Sequence, residues 1–120
     1  MRLLASSALA LFLATTTAPA GETLDIEFAR PGGVSLTLDA YVPDGKGPFP
    51  TVIVVHGGGW VNGTKRSYVT PVFPVLTKAG FTWFTINYRL APQHKYPAAT
   101  EDVDAAIRWV RAHAKEYRVD

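Results

Sequence analysis

A strand that leads directly into three glycines dominates this sequence. Residues 51–55, TVIVV, are β-branched throughout and lack polar alternation, which predicts a strand covered on both faces. Gly57, Gly58 and Gly59 follow at once, between His56 and Trp60. Because glycine loses more backbone freedom on folding than any other residue, three in succession indicate that the main chain turns unusually or approaches another group closely.

The segments around this strand predict an α/β domain. Two alternating apolar and polar runs, 24–28 and 34–40, flank Pro31-Gly32-Gly33 and predict an antiparallel hairpin with one buried face. A hairpin followed by strand, helix, strand and helix is typical of an α/β domain, and we expect its sheet to become parallel at the strand of residues 51–55. The elements predicted after the glycines are a short helix over 71–79, a strand over 81–86 and an amphipathic helix over 98–117.

The first 20 residues have the features of a secretory signal peptide. Arg2 gives a positive start, residues 3–14 are apolar apart from two serines, and Ala18-Pro19-Ala20 has the small-x-small form of a cleavage site. The apolar run of about a dozen residues is shorter than the roughly 20 that a membrane-spanning helix needs. We therefore predict cleavage after Ala20, a domain over 21–120, and a secreted or periplasmic protein without a stable membrane anchor.

Composition narrows the class of partner. With 48% hydrophobic and 18% charged residues, the chain has the balance of one globular domain. Removing Arg2 from the 12 basic residues leaves one more basic than acidic residue, an excess too small to indicate a nucleic-acid or membrane partner. The absence of cysteine excludes disulfides and thiol catalysis within this sequence.

A glycine-rich turn after a strand can bind a phosphate, bind an oxyanion, or be only a tight turn. Phosphate-binding loops have the spacing G-x-G-x-x-G or G-x-x-x-x-G-K-[ST], and the residues from Gly57 to Thr64 fit neither. An oxyanion site requires main-chain amides that reach a developing alkoxide without a Cβ in the way. On this motif alone, oxyanion binding and a simple tight turn both remain open.

Three motifs, in order along the chain, resemble the N-terminal half of an α/β-hydrolase esterase. They are HGGGW at 56–60, NYRLAP at 87–92 and PAATEDVDAAIRWV at 97–110, followed by EYRVD at 116–120. Over most of 34–120 the chain is similar to the esterase and lipase superfamily, in its hormone-sensitive-lipase-like and secreted acetyl- or feruloyl-esterase branches. The resemblance implies the N-terminal half of the α/β-hydrolase fold, in which an antiparallel hairpin leads into a parallel sheet with flanking helices.

The resemblance also implies a carboxylic-ester hydrolase that works through a serine acyl-enzyme, with no metal or organic cofactor. Its substrate would be a small-molecule ester or an ester linked to a polysaccharide. By position, the oxyanion donors are Gly57, Gly58 and Gly59, and His56 and Trp60 complete the motif. Two alternatives stay open: an arylformamidase- or peptidase-like amide hydrolase of the same fold, and a non-catalytic pseudo-enzyme or binding fragment.

No member of the catalytic triad is expected among these residues. In this fold the triad follows the chain order Ser, then Asp or Glu, then His, and the serine lies in a G-x-S-x-G motif. Ser6, Ser7, Ser35 and Ser67 all lie outside such a motif, so we expect a sequence truncated before the nucleophile elbow and inactive alone. The same chain order makes His56 a structural member of the turn rather than the general base.

Several other residues have both a structural and a functional interpretation. Arg89, in the loop after a strand, is expected to hold that loop through bonds to carboxylates or carbonyls. Trp60 and Tyr88, together with Phe73, are candidates for the substrate pocket, although aromatic residues more often belong to the core. Asn62-Gly63-Thr64 matches a glycosylation sequon, and Asn-Gly favours a plain turn. The charged and histidine side chains expected to be solvated are His94, His113, Glu101, Asp102 and Asp104.

Overall fold

The computed structural model describes residues 9–11 and 16–120, and most of the predicted signal peptide lies outside them. Within the described ranges, no helix has both the length and the apolar character that crossing a bilayer requires. A 3-10 turn at Pro31–Gly33 separates the first two strands. The elements run in the order β1 (Gly21–Ala29), β2 (Leu36–Val42), β3 (Thr51–Val55), α1 (Val72–Lys78), β4 (Thr82–Ile86) and α2 (Ala98–Ala112).

The four strands form one mixed sheet in the order β1-β2-β4-β3. β1 and β2 are the antiparallel hairpin, and β2 also pairs antiparallel with β4. β4 pairs parallel with β3, and α1 forms the crossover between them. The predicted hairpin and the change to a parallel sheet are therefore confirmed.

The burial predicted for β3 is wrong for the described residues. Four of its residues are only half-buried, and Val55 is 39% exposed. The physical reason is the sheet order, which places β3 at the end of the sheet with β4 as its one strand neighbour in this part of the chain. Phe49, two residues before β3, makes a single parallel bridge with Val119.

Two further features differ from the prediction: the exposure of Leu24 in β1 and the C-terminal end of α2. Leu24 is 55% exposed rather than on the buried face, because a bulge lies between Thr23 and Ile26 and shifts the alternation of β1. α2 ends at Ala112 instead of continuing to Tyr117, and the chain then continues as turns. Tyr117 is nevertheless buried. Its place in the apolar pattern therefore reflects a contact with the core and does not mean that the helix extends to it.

The two helices cover opposite faces of the sheet. Trp83 in β4 stacks on Phe73 of α1 with ring centroids 4.2 Å apart, whereas the next residue, Phe84, meets Trp109 of α2 edge to face at 6.3 Å. Because successive side chains of a strand point to opposite faces, α1 and α2 lie on different sides of β4. The larger cluster is on the α2 side and includes Leu38, Val42, Ile86, Ala106 and Val110.

The last residues before β1 pack on the C-terminal turns. Ala18 is buried, and its amide donates to the carbonyl of Glu116 at 2.9 Å. Its own carbonyl accepts a hydrogen bond from Arg118 Nη1 at 3.0 Å. Cleavage after Ala20 would remove these two hydrogen bonds but would leave β1, which begins at Gly21, complete.

Candidate functional site

The glycines after β3 follow a left-handed path. Gly58 has φ +132°, Gly59 has φ +63°, and Trp60 also has a positive φ of 68°, which is rare for a residue with a side chain. The Gly58 carbonyl closes the turn by accepting the amides of Val61 and Asn62 at 3.2 and 3.3 Å. The path explains why glycine stands here, because an L side chain would strain both Gly58 and Gly59.

Two glycines of this loop leave no space for a side chain. A Cβ on Gly58 would lie 2.0 Å from the carbonyl oxygen of Asn62. A Cβ on Gly63, whose φ is +106°, would lie 2.6 Å from Nδ1 of His56. Gly57 differs, since a Cβ there would meet nothing within 4 Å. Gly63 was not singled out from the sequence as a partner of His56, and no local pattern identifies that contact.

The amides of this turn have no hydrogen-bond partner among the described residues. Within residues 9–11 and 16–120, the backbone N–H groups of Gly58, Gly59 and Trp60 donate no hydrogen bond to another protein group. Val61 and Asn62 direct their amides back to Gly58 instead. A group of free main-chain donors in a fixed left-handed turn is the arrangement that an oxyanion requires.

His56 supports the turn from beneath. Its ring is buried and stacks on Tyr88 at a centroid distance of 4.3 Å, and its Nδ1 lies 2.7 Å from the carbonyl oxygen of Gly57. A carbonyl oxygen can only accept, so Nδ1 is the donor in this contact. Among the described residues, Nε2 has no hydrogen-bond partner. His56 therefore has a structural contact to the turn, and none of the described carboxylates forms a hydrogen bond with its ring.

Tyr88 fixes the other side of His56. Its hydroxyl donates to the His56 carbonyl oxygen at 2.8 Å. Burial raises the pKa of Tyr88, so the hydroxyl keeps its proton and stays a donor through the neutral range. Trp60 is tilted against the same ring at 5.9 Å and remains 60% exposed. Tyr88 and Trp60 thus contact each other beside the glycines, with Tyr88 buried and Trp60 exposed.

Two adjoining cavities open at this turn. The smaller, of about 220 Å³, is lined by the turn and its supports: His56, Gly57, Gly58, Gly59, Trp60 and Tyr88. The larger, of about 530 Å³, shares Gly59 and Trp60 and is otherwise lined by Ala91, His94, Tyr96, Ala99 and Thr100. Phe73, a pocket candidate from the sequence, lines neither cavity, because its side chain is buried against Trp83 of β4.

Arg89 holds the loop after β4 to the first turn of α2. Its Nε and Nη2 both donate to the Asp102 carboxylate, with contacts of 2.9 Å, and its backbone amide donates to Asp102 Oδ2 at 2.8 Å. Asp102 is 2% exposed, so the expectation of a solvated carboxylate is wrong for this residue. Glu101 and Asp104 are exposed, as expected of the polar end of a helix.

A second ion-pair cluster fastens the loop after the glycines to the hairpin. Asp39, buried in β2, accepts hydrogen bonds from Arg66 Nε at 2.8 Å and from the Asp25 amide at 2.9 Å. Lys65 Nζ lies 2.7 Å from Asp25 and 3.4 Å from Asp39. The Lys65 amide also donates to the Asn87 side chain at 2.7 Å. The sequence offered no signal for this cluster, because its members come from distant segments.

The described residues contain no Ser–His pair that could act as nucleophile and base. Ser67 bonds with Thr64, and Ser35 donates to Glu27. His113 bonds to the carbonyl of Trp109. Ser6 and Ser7 lie outside the described residues. The site therefore consists of main-chain amides without a protein partner and a cavity, and the described residues supply no nucleophile.

The chain is similar in sequence and in fold to known proteins. The model of the BD-FAE family matches residues 38–120. The chain is similar to the carboxylic ester hydrolase LipN of Mycobacterium tuberculosis, at 34% identity over 79% of this chain and 25% of LipN. It is also similar to the solved structure of the thermostable carboxylesterase EstE1 from a metagenomic library, at 31% identity and a TM-score of 0.74, covering 88% of this chain and 35% of EstE1.

A third similar protein is a truncated carbohydrate esterase from gut microbiota. The two share 27% identity with a TM-score of 0.72, over 88% of this chain and 39% of that one. The chain thus spans between a quarter and two fifths of each of these three proteins. The family match covers more than half of this chain and includes the glycine turn, the Arg89 loop and α2. The chain therefore belongs to the BD-FAE family, within the α/β-hydrolase esterase and lipase superfamily.

Proposed function

We propose that the protein carrying this chain is a serine carboxylic-ester hydrolase and that its oxyanion donors come from Gly57, Gly58 and Gly59. The observation that carries the proposal is the left-handed turn with free amides at the mouth of a cavity. In an ester hydrolysis, the carbonyl oxygen becomes negative as the tetrahedral intermediate forms, and fixed amide dipoles stabilise that charge without reorganising. Trp60, exposed at the rim, would then border the substrate.

The mechanism divides the enzyme into two functional parts. The present residues bind and stabilise the oxyanion, while an activated serine attacks the ester carbon and water later hydrolyses the acyl-enzyme. The chain spans 25% of LipN, and we assign the serine, its base and its acid to the portion that the chain does not span. The similar proteins named above are ester hydrolases, so they lend no support to the amide-hydrolase or non-catalytic alternatives.

The full-length enzyme should show a burst with an activated aryl ester. Acylation that is faster than deacylation releases close to one equivalent of phenol per active site before the steady state. The measurement is stopped-flow absorbance with p-nitrophenyl acetate, together with stoichiometric labelling by a serine-directed phosphonate. Hydrolysis without labelling, or no hydrolysis by a folded full-length protein, would contradict a serine acyl-enzyme.

For the substrate, we propose acetyl or feruloyl esters on an extracellular polysaccharide. Similarity to a carbohydrate esterase supports this class, as do the accessible rim and the larger cavity beside it. Apart from the imidazole of His94, the described side chains that line this cavity are apolar or neutral, which suits a neutral ester.

For the location, we propose export with removal of residues 1–20. The pattern of a positive start, an apolar run and Ala18-Pro19-Ala20 supports it, and β1 begins at the proposed new N-terminus. N-terminal sequencing of the protein recovered from the medium or periplasm should begin at Gly21. A mature protein that retains Ala18 would contradict the assigned cleavage site and would keep the bond to Glu116.

A further inference from the structure

The Asn62-Gly63 pair lies against the glycine turn of residues 57–60, which we call the oxyanion turn because of its proposed role. Asn62 is exposed, and a Cβ on Gly58 would lie 2.5 Å from its side-chain oxygen Oδ1, so the Asn62 carboxamide rests on Gly58. Gly63 packs on the other support of the turn, since a Cβ there would lie 2.6 Å from His56 Nδ1. Any change in the charge or backbone length at these two residues therefore acts directly on the turn.

Asn62 also meets the chemical requirements for deamidation. The backbone nitrogen of the following residue attacks the side-chain carbonyl carbon, and glycine at that place offers the least steric hindrance. The Gly63 amide donates no hydrogen bond to another group within the described ranges, so no such bond holds it away from the attack. The attack forms a cyclic imide and releases ammonia, and water then opens the ring to aspartate or isoaspartate.

Asn87 is an internal comparison, because it is the other asparagine of the sequence. Its side-chain oxygen accepts the Lys65 amide at 2.7 Å, and its side-chain nitrogen donates to Thr37 Oγ1 at 3.2 Å. The bulky Tyr88 follows it. Both polar atoms of the Asn87 side chain are therefore hydrogen-bonded, and the bulky Tyr88 hinders attack by the next backbone nitrogen. Asn62, in contrast, is exposed and followed by glycine.

We propose that Asn62 is a deamidation site whose conversion switches off the oxyanion turn. The proposal rests on the proposed function of Gly58 and Gly59. Aspartate at 62 would place a negative charge against Gly58, where it opposes the developing oxyanion. Isoaspartate would instead add a methylene to the main chain before Gly63 and displace that glycine from His56. Both products lower kcat, and neither requires an enzyme or an oxidant.

The test follows full-length enzyme during storage at mildly alkaline pH and body temperature. Peptide mass spectrometry measures the exchange of NH2 for OH at Asn62, and kcat is measured on the same samples. We expect activity to fall with the same rate constant as the unmodified Asn62 peptide, while the Asn87 peptide stays intact. Freshly purified Asn62→Asp enzyme should have a kcat lower by about tenfold or more.

Asn62→Gln is the matched variant, because a longer side chain forms the cyclic imide far more slowly. Its activity, normalised to its own starting value, should outlast that of the unchanged enzyme. Conversion at Asn62 without loss of kcat would overturn the proposal, as would loss of activity with Asn62 intact or a glycan occupying Asn62. If the proposed ester-hydrolase function itself were wrong, fresh enzyme would show no acyl-enzyme burst. The peptide masses would still report the conversion of Asn62, so this outcome differs from a failure of the deamidation proposal.

Discussion

Replacing Gly58 with valine should lower kcat of the full-length enzyme by about 10² to 10³, with a much smaller change in KM. Gly58 has φ +132°, and any Cβ there would fall 2.0 Å from the Asn62 carbonyl oxygen, so the turn must shift. A shifted turn no longer aims its amides at the oxyanion. The loss falls on kcat because the ground-state carbonyl makes little use of these donors.

Gly33→Val is the matched control for this substitution. Gly33 also has a positive φ, +84°, but it lies in the hairpin turn, and a Cβ there would meet nothing within 4 Å. Both variants should lose stability, on the order of 1 to 3 kcal/mol for a strained residue, but only Gly58→Val should lose kcat per folded molecule. Equal kcat values for the two variants, measured on folded enzyme titrated for active sites, would reduce the glycines to a simple tight turn.

The Asp102→Ala substitution should lower the free energy of unfolding by about 3 kcal/mol, because it removes one partner of a buried ion pair. Asp102 is 2% exposed and accepts the Arg89 side chain and the Arg89 amide. Without it, the guanidinium and the amide lose their acceptor in a mostly buried place. The measurement is the midpoint of denaturant unfolding of the full-length enzyme with an unchanged m-value.

Asp104→Ala is the control, because it removes the same chemical group two residues further along α2. Asp104 is exposed and pairs with Arg108 on the surface of the same helix, a contact worth no more than about 0.5 kcal/mol. Equal shifts for the two variants would mean that the Arg89–Asp102 pair does not hold the loop. A shift confined to Asp102→Ala would show that the loop after β4 depends on it.

Patterns within short windows predicted much of this fold. The alternation on either side of Pro31–Gly33 identified the hairpin, and the helical spacing after residue 98 identified α2. The apolar run before His56 identified β3 and placed the glycine turn at its carboxyl end. Each of these features depends on neighbours within a few residues, which is the range that periodicity reports.

The misjudged features depend on partners that are distant in sequence. The apolar character of β3 does not tell which strands flank it, and the sheet order leaves it half-buried in the described residues. The position of Asp102 near the start of a helix predicted a solvent-exposed carboxylate, but Asp102 is buried in an ion pair with Arg89. The Asp39 cluster and the contact of Gly63 with His56 likewise join separate segments. Gly58 and Gly59 required no such information, because their positive φ is a local property of the chain.

The order of sheet neighbours also has a consequence for the folding pathway. A short turn joins β1 to β2, and the segment that contains α1 joins β3 to β4. The paired strands β2 and β4 are further apart along the chain, because both β3 and α1 lie between them. Closing the shorter loops costs less entropy, so these two local units should form before the hairpin docks on β4. The glycine turn lies between β3 and α1, so it forms as part of the β3–α1–β4 unit. The Asp39–Arg66 pair joins the two units afterwards, and it therefore acts mainly by slowing unfolding.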